Sequence, residues 1–177
     1  GSEMCIRDRD WTVVHGYTDK IEELNLFRGS KYAQSQVGDS YKYAQSFLKQ
    51  GRWVLFVGTP CQIAGLNLFL KKEYDRLIAV DVVCHGVPSP KVLSRYLNDL
   101  TRNQINKITN IQFRNKQTGW KNYSFVCKWN NTKYQEVFAE NLYMKGFLRD
   151  LYLRPSCYNC PSKMFANNSD LTLADYW

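Results

Sequence analysis

Residues 53–85, WVLFVGTPCQIAGLNLFLKKEYDRLIAVDVVCH, constrain the fold more tightly than any other part of the chain. Two apolar runs, 53–57 and 77–83, are rich in the aromatic and β-branched residues that favour strands. Between them lies an amphipathic segment long enough for a helical crossover. Neither run alternates with polar residues, which predicts two parallel strands buried on both faces. Each run ends in a turn that carries a cysteine, Cys61 in GTPC and Cys84 in VCHG. In an open parallel sheet ligands sit outside the carboxyl ends of the strands. A strand–crossover–strand unit therefore predicts both thiols at one rim.

The flanking residues support this reading. Thr59 is suited to cap a helix and Pro60 to its first turn, with Ile63, Leu66, Phe69 and Leu70 on the apolar face. Cys61 then falls in the first turn, where open N–H groups favour a thiolate; a small buried hydrophobe is the competing reading. Ser89 and Pro90 repeat the cap-plus-proline start for a helix that buries Val92, Leu93, Tyr96, Leu97 and Leu100. A further helix is expected over 40–50, closed by Gly51. Beyond Arg102 the runs 108–113, 123–129 and 133–138 read as strands, the last two joined at Asn130-Asn131. A helix over 140–150 leads to the proline-flanked Cys157-x-x-Cys160, expected as a loop, and 169–177 reads as a last strand. The expected class is α/β: a parallel (mixed) sheet core with crossover helices and an antiparallel strand extension. WTVVHGY near the start is a short strand whose His15 reads as a surface or core histidine rather than a ligand. Residues 1–10, GSEMCIRDRD, read as a non-native leader outside the fold, and 11–177 as a single domain.

The chain of 177 residues carries 24 Lys and Arg against 16 Asp and Glu, a net +8 that favours an anionic partner. The basic residues are scattered, which argues against a nucleic-acid groove. Gly29, Ser30 and Lys31 in FRGSKYAQS combine open backbone N–H groups with a positive charge, as a phosphate requires, though an ordinary helix start uses the same residues. Arg114 and Lys116 in FRNKQTGW are placed to reach an anionic ligand or to form a solvated loop. No apolar run approaches the ~20 residues of a membrane span. No signal-peptide pattern is visible, so a cytoplasmic setting is the expectation.

Six cysteines in such a chain point to metal or redox chemistry before structural disulfides. Cys5 lies in the leader and Cys127 inside a predicted strand, where it reads as packing. Cys61, Cys84, Cys157 and Cys160 remain. Four thiolates suit a 4Fe–4S cluster or a structural zinc, and the residues alone leave both open, with a dithiol or simple packing as further readings. A binding domain stapled by zinc on four cysteines is the alternative to a redox protein.

The segments GSKYAQS, VLFVGTPCQIAGL, VDVVCHGVPSP, FRNKQTGW, RPSCYNC and SDLTLADYW follow one another in an order that resembles one family. It is the C-terminal domain of coenzyme F-420 hydrogenase/dehydrogenase beta subunits. The resemblance covers residues 29–177, with GTPCQ and CHGVPSP its most specific motifs. It implies an iron–sulfur flavoprotein that passes electrons between FAD and a 4Fe–4S cluster, with coenzyme F-420 as a substrate in hydrogenase members. Carried onto this chain, it implies Cys61, Cys84, Cys157 and Cys160 as cluster ligands. Gly29, Ser30, Lys31, Tyr32, Gly58, Thr59, Pro60, His85 and Gly86 are the candidates for the flavin and its pyrophosphate, chosen from the geometry of the rim. A ferredoxin or ferredoxin-like domain and other oxidoreductase subunits are the implied partners. The closing motif has Ala174 where the family has glycine, and Ala166-Asn167-Asn168 stand where an arginine is expected. The chain thus reads as a fragment of a longer beta-subunit-like protein.

Overall fold

The computed structural model describes residues 2–6, 11–164 and 168–174. Its first strands are β1 (Ser2–Ile6), β2 (Val13–Tyr17) and β3 (Ser35–Gln36). Then come α1 (Ser40–Lys49), β4 (Val54–Gly58), α2 (Pro60–Leu70), β5 (Leu77–Val82) and α3 (Pro90–Leu100). A three-stranded unit, β6 (Ile108–Asn115), β7 (Ser124–Trp129) and β8 (Thr132–Val137), precedes α4 (Leu142–Leu148) and α5 (Pro155–Tyr158). β9 (Leu171–Leu173) returns to the first sheet.

That sheet has the order β3-β2-β1-β4-β5-β9 and is mixed. β4 and β5 pair in parallel, Val54 opposite Leu77 through Gly58 opposite Asp81, as the two apolar runs predict. β9 adds in parallel beside β5, with Val82 opposite Leu173. Within the segment read as a leader, Ser2–Ile6 pairs as a strand of the sheet, antiparallel to β2 and parallel to β4. A five-residue extended segment gains backbone pairing on both sides there, which its composition does not disclose.

The expectation of burial on both faces holds only in part, since on the second face Val80 is buried while its neighbours are not. Val54, Phe56 and Ala79 are buried under Ala44 and Leu48 of α1 and Ile63, Leu66 and Leu70 of α2. On the opposite face Leu55 and Ile78 are exposed. An apolar run reports what a strand prefers, not whether both covering layers are present.

β6, β7 and β8 form a separate antiparallel sheet. Ile111, Phe113, Phe125 and Cys127 pack there with Leu93 and Leu97 of α3 and with Tyr143, Met144 and Phe147 of α4. Cys127 is fully buried, and burial pushes its thiol up to about 12, in keeping with a packing role. Asn141 caps α4 by accepting from Met144 N–H at 3.0 Å, and its amide donates to the Tyr96 hydroxyl at 2.7 Å. His15 is buried, stacked on Phe56 with ring centroids 6.0 Å apart, and neither ring nitrogen has a partner among the described residues. Burial therefore pulls its imidazole down to about 4. No helix among the described residues is long and apolar enough to cross a membrane.

Candidate functional site: a cysteine rim at the strand ends

β4 ends at Gly58, and α2 starts two residues later. Thr59 and Gln62 close a capping box: the Thr59 hydroxyl accepts from Gln62 N–H, and Gln62 Oε1 accepts from Thr59 N–H at 2.8 Å. The signal for it, Thr-x-x-Gln, stands in the sequence. Gln62 is also held from outside, since its Nε2 donates to Ser35 Oγ at 2.9 Å and its carbonyl accepts from Tyr41 OH at 2.8 Å. This braces the first turn of α2, on which Cys61 is exposed with its Sγ 3.2 Å from Thr59 Oγ1.

Cys84 follows the end of β5, half-buried. The next residues turn back along the second cysteine segment. Pro88 pairs antiparallel with Leu153, Ser89 N–H donates to Tyr152 O at 2.9 Å, and Arg154 N–H donates to Val87 O at 2.8 Å. That short ladder carries α5 and Cys157 to the rim. Cys157 N–H donates to Arg154 O, closing the one-turn helix. Here the loop expectation is corrected: Pro155 sits at the first helical position, where its missing N–H costs nothing. Cys160 follows, and the turn Pro161–Met164 packs against α2.

Burial pushes the Cys84 thiol up to about 11, a hydrogen bond from the Gly86 backbone opposes the rise, and thiolate charge on Cys61, Cys157 and Cys160 adds to it. All three other thiols are thus near enough for their charge to act on Cys84. A cavity of about 270 Å³ opens beside it, lined by Pro60, Val83, Cys84, His85, Ser162 and Lys163. Among the described residues no three His, Cys, Asp or Glu side chains are gathered as tightly as one metal ion would need. A 4Fe–4S cluster asks for a wider set, because each thiolate binds a different iron. The donor set suits that group: four thiols, one neighbourhood, and a cavity between the strand ends and the second cysteine segment.

Of the residues chosen for the flavin, Pro60 and His85 line the cavity beside Cys84, and several of the donors are engaged elsewhere. Thr59 N–H is committed to Gln62. His85 Nε2 lies 2.7 Å from Asp150 Oδ1 and 3.3 Å from Phe147 O, its ring edge-on to Phe147. Asp150, left in the left-handed region at the end of α4, carries no sequence signal that would have named it. Lys31 donates to the carbonyls of Phe27, Arg28 and Gly29, so its ammonium braces its own loop. Tyr32 stacks on Phe147 at 5.1 Å, and its carbonyl accepts from Tyr143 OH at 2.7 Å. Phe147 therefore joins Tyr32 to His85. Gly29 has φ +92° with open space where a Cβ would be, and Ser30 is exposed beside it. Arg114 and Lys116 both stand over Trp120, Arg114 also over Tyr123.

Fold and rim together define a mixed α/β protein with Cys61 and Cys84 just beyond the carboxyl ends of two neighbouring parallel strands. Residues 51–176 match the family model for the C terminus of the coenzyme F420 hydrogenase/dehydrogenase beta subunit, and the chain belongs to this family of oxidoreductases. No curated protein matches it. A chain of the F420-reducing [NiFe] hydrogenase complex from Methanosarcina barkeri, solved as a xenon derivative, has a similar fold, with a TM-score of 0.56 at 14% identity. The match covers 90% of this chain and 52% of that one, so this chain spans about half the length of its structural relative.

Proposed function

We propose that the chain is an electron-transfer part of an iron–sulfur flavoprotein oxidoreductase. In this reading a 4Fe–4S cluster is held by Cys61, Cys84, Cys157 and Cys160. The observation that carries it is the backbone ladder between 87–89 and 152–154, which brings the Cys157-x-x-Cys160 segment back toward the strand ends that carry Cys61 and Cys84. Four clustered thiols repel one another when ionised, and a cationic iron–sulfur core is what makes that gathering favourable.

FAD belongs to the same reading, on the exposed side of the GSKY turn. Gly29 and Ser30 offer open backbone to a pyrophosphate, while Tyr32, Phe147 and His85 form a floor between that turn and the thiols. Gly58, Thr59 and Pro60 act by shape, since their cap bonds hold the first turn of α2 fixed. Gly86 contributes a backbone donor to Cys84. When bound, FAD would handle electrons in pairs and the cluster singly. The chain's own residues supply anchoring: the capping box fixes Cys61, the 87–89 and 152–154 ladder fixes Cys84 against Cys157, and Asp150 fixes the His85 ring. Partners in this reading are a ferredoxin-like protein or coenzyme F420, and other subunits such as those of a hydrogenase complex. Arg114 and Lys116 on Trp120 suit an anionic one.

Anaerobic purification followed by an absorption spectrum tests the reading. Broad visible absorption that bleaches on reduction, with flavin bands, is expected. A colourless protein that carries zinc on these cysteines would contradict it.

A further inference from the structure

The cavity of about 270 Å³ beside Cys84 is lined by no Asp or Glu, and Lys163 is its one Lys or Arg. The turn Pro161–Met164, which carries Lys163, packs against α2, and Lys163 N–H donates to Cys160 O at 3.2 Å. The lysine is thus tied through its backbone to the second cysteine segment. Among the described residues no carboxylate lies within ion-pair distance of its ammonium. His85, also on the lining, differs: its Nε2 lies 2.7 Å from Asp150 Oδ1, so positive charge on that ring is offset. Among the described residues, Lys163 is therefore the cavity's one cation without a counter-ion.

We infer that Lys163 raises the reduction potential of the 4Fe–4S cluster by favouring its more negative, reduced state. The inference rests on the reading that Cys61, Cys84, Cys157 and Cys160 hold that cluster. Held by four thiolates, the oxidised cluster is an anion, and the electron taken from a partner adds one further negative charge. A nearby cation stabilises the reduced form more than the oxidised one, and local charge is among the factors that set such potentials. Lys163 is exposed, so water and salt weaken the effect without abolishing it.

The test is a redox titration of the anaerobically prepared protein, followed by visible absorbance, with iron and sulfide measured per chain. Three variants grade the charge at one position: Lys163→Arg keeps it, Lys163→Met removes it and Lys163→Glu reverses it. Lys133→Met, at an exposed site on β8 of the other sheet, serves as the control. At the wild-type midpoint the ratio of reduced to oxidised cluster should fall about three- to tenfold in Lys163→Met, or ~30–60 mV for one electron. Lys163→Glu should fall further, whereas Lys163→Arg and the control should stay within about twofold of the wild type. Added salt should narrow the spread, and iron and sulfide should match the wild type in every variant.

An unchanged midpoint in both Lys163→Met and Lys163→Glu would overturn the inference and leave the cluster reading standing. So would a fall in Lys163→Arg as large as in Lys163→Met, which reports shape rather than charge. Loss of iron from Lys163→Met and Lys163→Arg alike would also overturn it, since the side chain would then only hold the turn in place. A wild type without iron and sulfide would overturn the cluster reading, and this inference with it.

Discussion

Gly86 lies directly against Leu153: a Cβ on the glycine would fall 2.7 Å from Leu153 Cδ1, and its φ of +145° suits no L side chain. The contact sits where residues 86–89 run along 152–154, the ladder that brings Cys157 toward Cys84. Gly86→Ala is expected to cost about 1–3 kcal/mol through steric and backbone strain and to lower bound iron per chain. Thermal melting and metal analysis check both. An unchanged melting temperature would show that the loop yields freely.

His15 makes stability depend on pH. Its folded value of about 4 lies below the ordinary 6.5 of an exposed histidine, so the unfolded chain takes up the proton first. The fold keeps its full stability above pH 6.5 and loses it as the pH falls toward 4, by about 3 kcal/mol from this group. Urea unfolding across that window should show a steeper loss for the wild type than for His15→Leu. Parallel profiles would mean that the imidazole is satisfied.

Asn141 does two jobs from a fully buried position: it caps α4 and donates to Tyr96 OH. Asn141→Ala removes the cap and takes one of two partners from the half-buried Tyr96 hydroxyl, an expected loss of about 1–2 kcal/mol. Asn141→Asp keeps the cap acceptor and should lose less at a pH where its carboxyl is protonated. Equal losses in denaturant unfolding would count against the cap.

How much of this was legible in the sequence depends on the range of the interaction. Thr59, Pro60 and Gln62 announce the start of α2 locally, and the two apolar runs announce the β4–β5 pair, because backbone and burial preferences act over a few residues. The four thiols could be named from the sequence, and the ladder that turns residues 152–154 back along 87–89 could not. Asp150 could not be named, since its partner His85 is brought to it only by tertiary packing. Nor could the exposure of Leu55 and Ile78 be seen: both look like core residues, as their buried face-mate Val80 does. Ser2–Ile6 pairs with β2 and β4 through its backbone, and backbone pairing leaves little trace in composition.

The cluster assignment is tested most directly by iron and acid-labile sulfide per chain in anaerobically prepared wild type, in the four single variants Cys61→Ser, Cys84→Ser, Cys157→Ser and Cys160→Ser, and in Cys127→Ser. The wild type should carry about four iron and about four sulfide, and each of the four rim variants should lose most of both. Cys127→Ser should keep both and lose only about 1–3 kcal/mol of stability from its buried site. Iron and sulfide retained in full without Cys84, or lost with Cys127 while the protein stays folded, would contradict the account.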